Sequence, residues 1–324
     1  MTRLVLVHGR DLAGHDPDTL EAQWLGAMRA GLDAAGSSFR PTDAASSFVY
    51  YGDTLAALVG GAASPPVTVH ALRAGVPGLP GLSEGELRFV LDVAREVLAA
   101  GGAPEDAPAP VLAEGVVGDA LAEAVVATLG LVDRFVPGVS AAVLLTLTRD
   151  VYAYLHDDHV RRVIDDGLAA ALAGDEPAVV VAHSLGSVVA YSVLAARTDG
   201  PDVPLLLTPG SPLGIRAIRE AMQARAPLTF PARVGRWVSA RDSRDLLALR
   251  DLTPAAFPLP AGSPMIDVRR VDNRAPGYHS AAVRLEDGEW AGYLALPEVA
   301  GPVGGHVVGD LGGHDGAERR DADR

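Results

Sequence analysis

Ala178-Val179-Val180-Val181-Ala182 runs directly into His183-Ser184-Leu185-Gly186, and an apolar segment carrying Val188, Val189, Tyr191, Val193 and Leu194 follows. Five successive apolar residues, mostly β-branched, read as a strand covered on both faces, as in parallel sheets packed between helices. The segment after them has the composition of a helix buried on most of its surface. Between the two, the chain must turn within the residues around Ser184. So tight a turn leaves no room for side chains two positions before and two after its apex, and Ala182-x-Ser184-x-Gly186 meets that requirement. The geometry lifts the serine hydroxyl above the strand end and presents the first helical N–H groups to any negative charge forming there. A serine that merely closes a strand needs none of this placement.

Outward from that stretch, Leu4–Val7, Phe48–Tyr51, Val203–Leu207, Val234–Ser239 and Ile266–Val271 read as further strands. A helix is expected from near Asp18 to Ala35, with Asp16 as N-cap, Pro17 at the first helical position and Gly36 as the stop. Alternation of short strands with helices predicts an α/β fold, a mostly parallel sheet flanked by helices. One crossover helix would suffice between the second and third strands, yet Gly52 to Pro177 intervene. Gly60 to Leu82 reads as loop, and Ser83-Glu84-Gly85-Glu86 is a capping box opening a helix to about Ala100. Gly101 to Pro110 breaks that helix, and helical stretches near Ala113–Arg134 and Val139–Ala173 follow. The expected organisation is one domain over residues 1–300 with a lid-like helical insertion at about 60–150, then a flexible polar tail over 301–324. The apolar stretches 116–132 and Val139–Leu147 suit either packed helices or the underside of a lid.

The chain has 324 residues, 27 basic and 41 acidic side chains, a formal charge of −14, 48% hydrophobic residues and no cysteine. The apolar fraction supplies a core and excludes general disorder. Lack of cysteine removes disulfides, thiolate metal sites, iron–sulfur ligation and a thiol nucleophile. The acidic balance argues against nucleic acid or an anionic membrane as partner. Every basic residue is arginine, which, with the abundant alanine and glycine, we read as coding bias. Leu4–Val7 is too short an apolar run for a signal peptide. A charge-free apolar stretch of note, Phe135 to Thr148, holds Pro137 and Gly138 and falls short of the ~20 residues of a membrane span. A cytoplasmic protein without a transmembrane segment is expected. His156-Asp157-Asp158-His159 spaces two histidines so that one helical face could hold a divalent metal. With Arg161 and Arg162 beside them, a solvated, charged helix face without metal is the expected reading.

The strand–serine–helix pattern resembles the nucleophile elbow of the α/β-hydrolase superfamily, in its lipase and esterase branch, where alanine sometimes replaces the first glycine. The resemblance covers about residues 1–60 and 175–300, not the insertion, and the sheet would lack the first two strands of the full family core. It implies Ser184 as nucleophile. It also implies that His8-Gly9-Arg10 faces the elbow, that the backbone amides of Arg10 and Leu185 form an oxyanion hole, and that His8 braces the loop. Thr208-Pro209-Gly210-Ser211-Pro212 carries no carboxylate, so the acid is sought in Ala240-Arg241-Asp242-Ser243-Arg244-Asp245-Leu246-Leu247. Family loops there read roughly Asp-x-x-Asp before apolar residues, with the second aspartate catalytic. Asp245 is therefore favoured and Asp242 is the alternative acid, the other serving as a turn or cap residue. The base is expected after the last strand, and His279 stands there, in the order Ser…Asp…His; His183, His306 and His314 are weaker candidates. Gly210-Ser211-Pro212-Leu213-Gly214 is similar to segments of lipase-like acylhydrolases. The implied activity is hydrolysis of a carboxylic ester in a small-molecule or acyl-chain substrate through an acyl-enzyme, with no cofactor. Peptidase or thioesterase chemistry and a non-catalytic binding module are the alternatives.

Overall fold

A computed structural model describes residues 2–9, 14–42, 46–60, 81–103 and 117–308. Strands β1 (Arg3–Val7), β2 (Ser46–Val49), β3 (Ala178–Ala182), β4 (Leu205–Pro209), β5 (Trp237–Arg241) and β6 (Asp267–Arg270) form one sheet in the order β2-β1-β3-β4-β5-β6. Every ladder in it is parallel. After β2 the chain returns to the opposite side of β1, and Val7 lies level with both Val49 and Ala182. Such a reversal of strand order leaves a crevice at the carboxyl ends of the two central strands. His8-Gly9 and His183-Ser184 emerge into it.

Period-two alternation sends Val5, Val7, Val180 and Ala182 to one core and Leu4, Leu6, Val179 and Val181 to the other. The described helices are α1 (Pro17–Ala34), α2 (Gly52–Gly60), α3 (Glu84–Ala100), α4 (Asp119–Phe135), α5 (Ala141–His156), α6 (Asp158–Ala171), α7 (Leu185–Ala196), α8 (Arg216–Arg225) and α9 (Pro297–Val308). Helices α1 and α9 supply the second core, and apolar residues of α2 to α8 the first. Helix α1 begins as the sequence predicts, with the Asp16 carboxylate accepting from Thr19 N and Pro17 in the first turn. The capping box of α3 is complete, Ser83 and Glu86 each bonding the other's backbone N–H.

Four expectations are corrected, the last of them in the C-terminal segment. Strand β2 ends at Val49 because Tyr51 N donates to His8 Nε2 (2.9 Å), not to a ladder, and Tyr51 O accepts from Leu55 N at the start of α2. Strands β4 and β5 begin later than expected, since Val203 and Val234 meet only in an isolated bridge. The stretch expected as one helical run over 139–173 is two helices, parted at Asp157, whose carboxylate accepts from His159 N and Val160 N and so caps α6. His156 and His159 therefore lie on successive helices, and His156 stacks on Tyr152 at 4.0 Å. Among the described residues, no group of three or more histidines and carboxylates is placed to hold a metal.

Residues 301–308, expected in a polar tail, belong to α9, with Val299, Ala300 and Val303 buried in the second core. The glycines obscured this helix in the sequence, yet at Gly304 a Cβ would lie 2.3 Å from Ser37 Oγ and 3.0 Å from Leu32 Cδ2, so glycine lets α9 approach α1. Residues 61–80, 104–116 and 309–324, including parts of the expected insertion and tail, lie outside the described residues. In the rest of the insertion, Leu121, Val125, Leu129, Leu144 and Leu147 are buried in the same core as α7. The buried Glu96 of α3 accepts from Arg216 N and Ala217 N (both 3.1 Å), capping α8, whose own N-cap Ile215 has no side chain able to do so. Among the described residues, no helix is long and apolar enough to cross a membrane.

Candidate functional site

Ser184 joins β3 to α7 with φ +53° and ψ −126°, a combination L-residues rarely adopt and that surrounding structure must enforce. Two glycines make room for it. A Cβ at Gly186 would lie 2.4 Å from His8 O and 2.5 Å from Val7 O, and one at Gly9 2.9 Å from Ser184 Cβ. Beneath the turn, Ser187 Oγ donates to Ser184 O (2.6 Å) and meets Ser211 Oγ at 2.7 Å. Ser211, in the segment singled out from the sequence, also accepts from Leu213 N, which starts a short 3-10 turn.

The serine hydroxyl lies 2.9 Å from His279 Nε2. On the other side of the ring, His279 Nδ1 is 2.8 Å and 3.0 Å from the two carboxylate oxygens of Asp245. A carboxylate can only accept, so Nδ1 carries the proton and Nε2 is left to accept from Ser184. Asp245 is wholly buried and is satisfied besides by Leu247 N (3.0 Å), Ala248 N (3.2 Å) and the Tyr293 hydroxyl (2.7 Å). The structure thus brings together Ser184, His279 and Asp245 from three separate loops at the carboxyl edge of the sheet. An aligned hydroxyl, imidazole and carboxylate can move a proton off the oxygen as it attacks an electrophile.

Asp242 faces elsewhere. It accepts from Arg244 N, Nε and Nη2 and from Asn273 N. Burial alone would raise its carboxyl, but the Arg244 hydrogen bonds and the Asn273 amide outweigh it and hold the group below the usual carboxylate range. Arg244 also bonds Asp272 and lies 4.2 Å over the Tyr278 ring. Asn273 Nδ2 donates to Tyr278 O and Ser280 O, on either side of His279. Asp242 and Asn273 therefore clamp the acid loop to the histidine loop, across a Tyr278 held at φ +60°. The insertion reaches the same place: a Cβ at Gly138 would lie 3.5 Å from the Tyr278 ring.

The other histidines brace. His8 donates through Nδ1 to Gly9 O and accepts Tyr51 N at Nε2, while the Tyr51 hydroxyl donates to His8 O. Burial lowers His8 to about 4, so it is neutral near pH 7. His183 is buried, and its Nε2 donates to the backbone oxygen of His279 (2.6 Å). Burial, and then the neighbouring His279, keep His183 well below the ordinary imidazole range. Leu185 opens α7, where the first N–H groups have no intrahelical acceptor. Arg10 and His314 lie outside the described residues, and His306 sits on α9, bonded to Pro302 O. A cleft of about 710 Å³ borders the C-terminal half of α7, but its tyrosine hydroxyls are already engaged, Tyr154 donating to the Asp165 carboxylate and Tyr191 donating to the backbone oxygen of Thr229.

Sequence reading missed Tyr293 and Asn273. Both are polar residues in turn-rich segments whose burial depends on distant loops, and no local pattern marks them. The neighbouring Gly292 is the one signal: its φ is +106°, and a Cβ there would lie 2.5 Å from Ala281 O. No family model matches the sequence, and neither a curated protein nor a solved structure matches it.

Proposed function

We propose that this chain is a serine hydrolase of the α/β-hydrolase, lipase- and esterase-like kind, cleaving a carboxylic ester through an acyl-enzyme. The observation that carries the proposal is the continuous hydrogen-bonded line from Ser184 Oγ through His279 to the buried Asp245. Its place at the crevice where strand order reverses supports the reading, because open α/β sheets bind ligands there. In this mechanism Ser184 Oγ attacks the ester carbonyl carbon as its proton passes to His279 Nε2. The oxyanion is held by the amides of Leu185 and Arg10, and Asp245 stabilises the imidazolium without taking its proton. Collapse breaks the ester bond, and the leaving alkoxide takes the proton from His279. Water then attacks the acyl-enzyme, His279 accepting its proton and returning it to Ser184 as the acid departs.

The test is labelling by a fluorophosphonate, followed by turnover of p-nitrophenyl esters of increasing chain length. Wild type is expected to label and turn over, and Ser184→Ala to do neither. Absence of labelling in the wild type overturns the proposal. Labelling without ester turnover replaces the ester with a thioester or peptide substrate.

A further inference from the structure

We propose that Tyr293 is a positioning residue of this site, setting through Asp245 the pH range in which His279 can act as base; the inference rests on the serine-hydrolase reading. The Tyr293 hydroxyl is fully buried and donates to Asp245 Oδ2 at 2.7 Å, the same oxygen that lies 2.8 Å from His279 Nδ1. Its oxygen in turn accepts Asp242 N at 2.9 Å. Burial, reinforced by the Asp245 charge, pushes the phenol far above its ordinary range, so it remains a donor wherever the enzyme is folded. The tyrosine is also tied to the base through the backbone, since Tyr293 N donates to Ser280 O and Leu294 N to Ala281 O, directly after His279.

Several charged and titratable groups surround the relay. Ser184 and Asp245 contact His279, and the His183 ring lies 4.8 Å away, kept neutral by burial. Behind Asp245 stand Tyr293 and Asp242, the latter bonded to Arg244, which also reaches Asp272. Within this set, His279 apart, only Tyr293 donates a side-chain hydrogen bond to Oδ2, the Asp245 oxygen nearer His279. A donor on a carboxylate draws charge away from the oxygen it binds. Without it, Asp245 attracts the imidazolium more strongly, the proton stays on His279 to higher pH, and the base becomes available later. A stronger donor acts in the opposite sense.

The experiment measures fluorophosphonate labelling rate against pH for the full chain, for Tyr293→Phe and for 3-fluorotyrosine introduced at position 293, with circular dichroism melts of each. Tyr293→Phe should move the acidic half-point upward by about half a unit, and the more acidic fluorophenol should move it downward. Half-points unmoved in both variants, or displaced in the same direction, overturn the proposal and leave the tyrosine a packing role. If Tyr293→Phe does not fold, the fluorinated variant keeps the hydroxyl and still decides the sign. Failure of the wild type to label at any pH sinks the hydrolase reading itself, a result distinct from unmoved half-points.

Discussion

At the scale of single residues, Asp242 and Asp245 show how context divides two like side chains. Both are buried, but Asp245 faces an imidazole and a phenol, whereas Asp242 is enclosed by a guanidinium and backbone amides. The three-residue spacing made both eligible in the sequence, and only the fold shows which carboxylate meets His279. If Asp245 orients the base, Asp245→Asn should lower kcat by a factor of order 10⁴ in a steady-state ester assay. Asp242→Asn should act mainly on stability. The depressed Asp242 contributes stabilisation that is complete above the unfolded carboxylate value of about 3.9 and is lost as pH falls through its lower folded value. Urea midpoints should therefore decline less for Asp242→Asn than for wild type as pH drops below 4; equal declines would count against the clamp. The serine turn was legible because its glycine and apolar neighbours are sequence-local. Tyr293 was not, because its partners lie 48 and 51 residues away.

Among the elements, the starts of α1 and α3 were legible in their own capping residues. Asp16 and Pro17 start α1, and Ser83 with Glu86 starts α3. The ends of β3 match the sequence pattern and those of β1 and β6 lie within one residue of it, but β2, β4 and β5 are displaced by two or three, because a strand stops where its partner stops, which no local residue encodes. The Asp157 break was hidden within an otherwise continuous helical pattern, and α9 was hidden by its glycines, of which Gly304 serves the close approach to α1. Helix α1 bears on the site in the same way. A Cβ at Gly31 would lie 2.5 Å from Leu294 O and 2.8 Å from Ala300 Cβ, so this glycine seats the turn that carries Tyr293 against α1. Gly31→Ala gains about 1 kcal/mol of helix propensity, yet the clash with backbone should leave it destabilised by roughly 1–3 kcal/mol. Chemical denaturation reads the balance, and a more stable variant would show that the turn can shift without cost.

For the whole molecule, two imidazoles buried without charge set the response to acid. His8 falls from 6.5 unfolded to about 4 folded, and His183 is lowered in the same direction. Between those values the unfolded chain binds protons that the native state refuses, so stability should fall as pH drops from 6.5 towards 4, by about 3 kcal/mol from His8 alone. Asp92 and Asp165, raised by burial, oppose this only near the carboxylate range. Urea unfolding across that window measures the slope, and a flat profile would contradict the burial of these rings. The fold class was visible because strand and helix patterns repeat along the chain, but the pairing of β1 with β3 across the whole insertion was not. That pairing also orders events during synthesis. Val7 must wait for Ala182 before the central ladder can close, and the serine turn then waits for Asp245, His279 and Tyr293 to emerge. Contacts so distant along the chain are slow to form and leave sheet edges open meanwhile. A nascent chain thus carries Ser184 without its full set of partners until 109 further residues have been added and Tyr293 is in place.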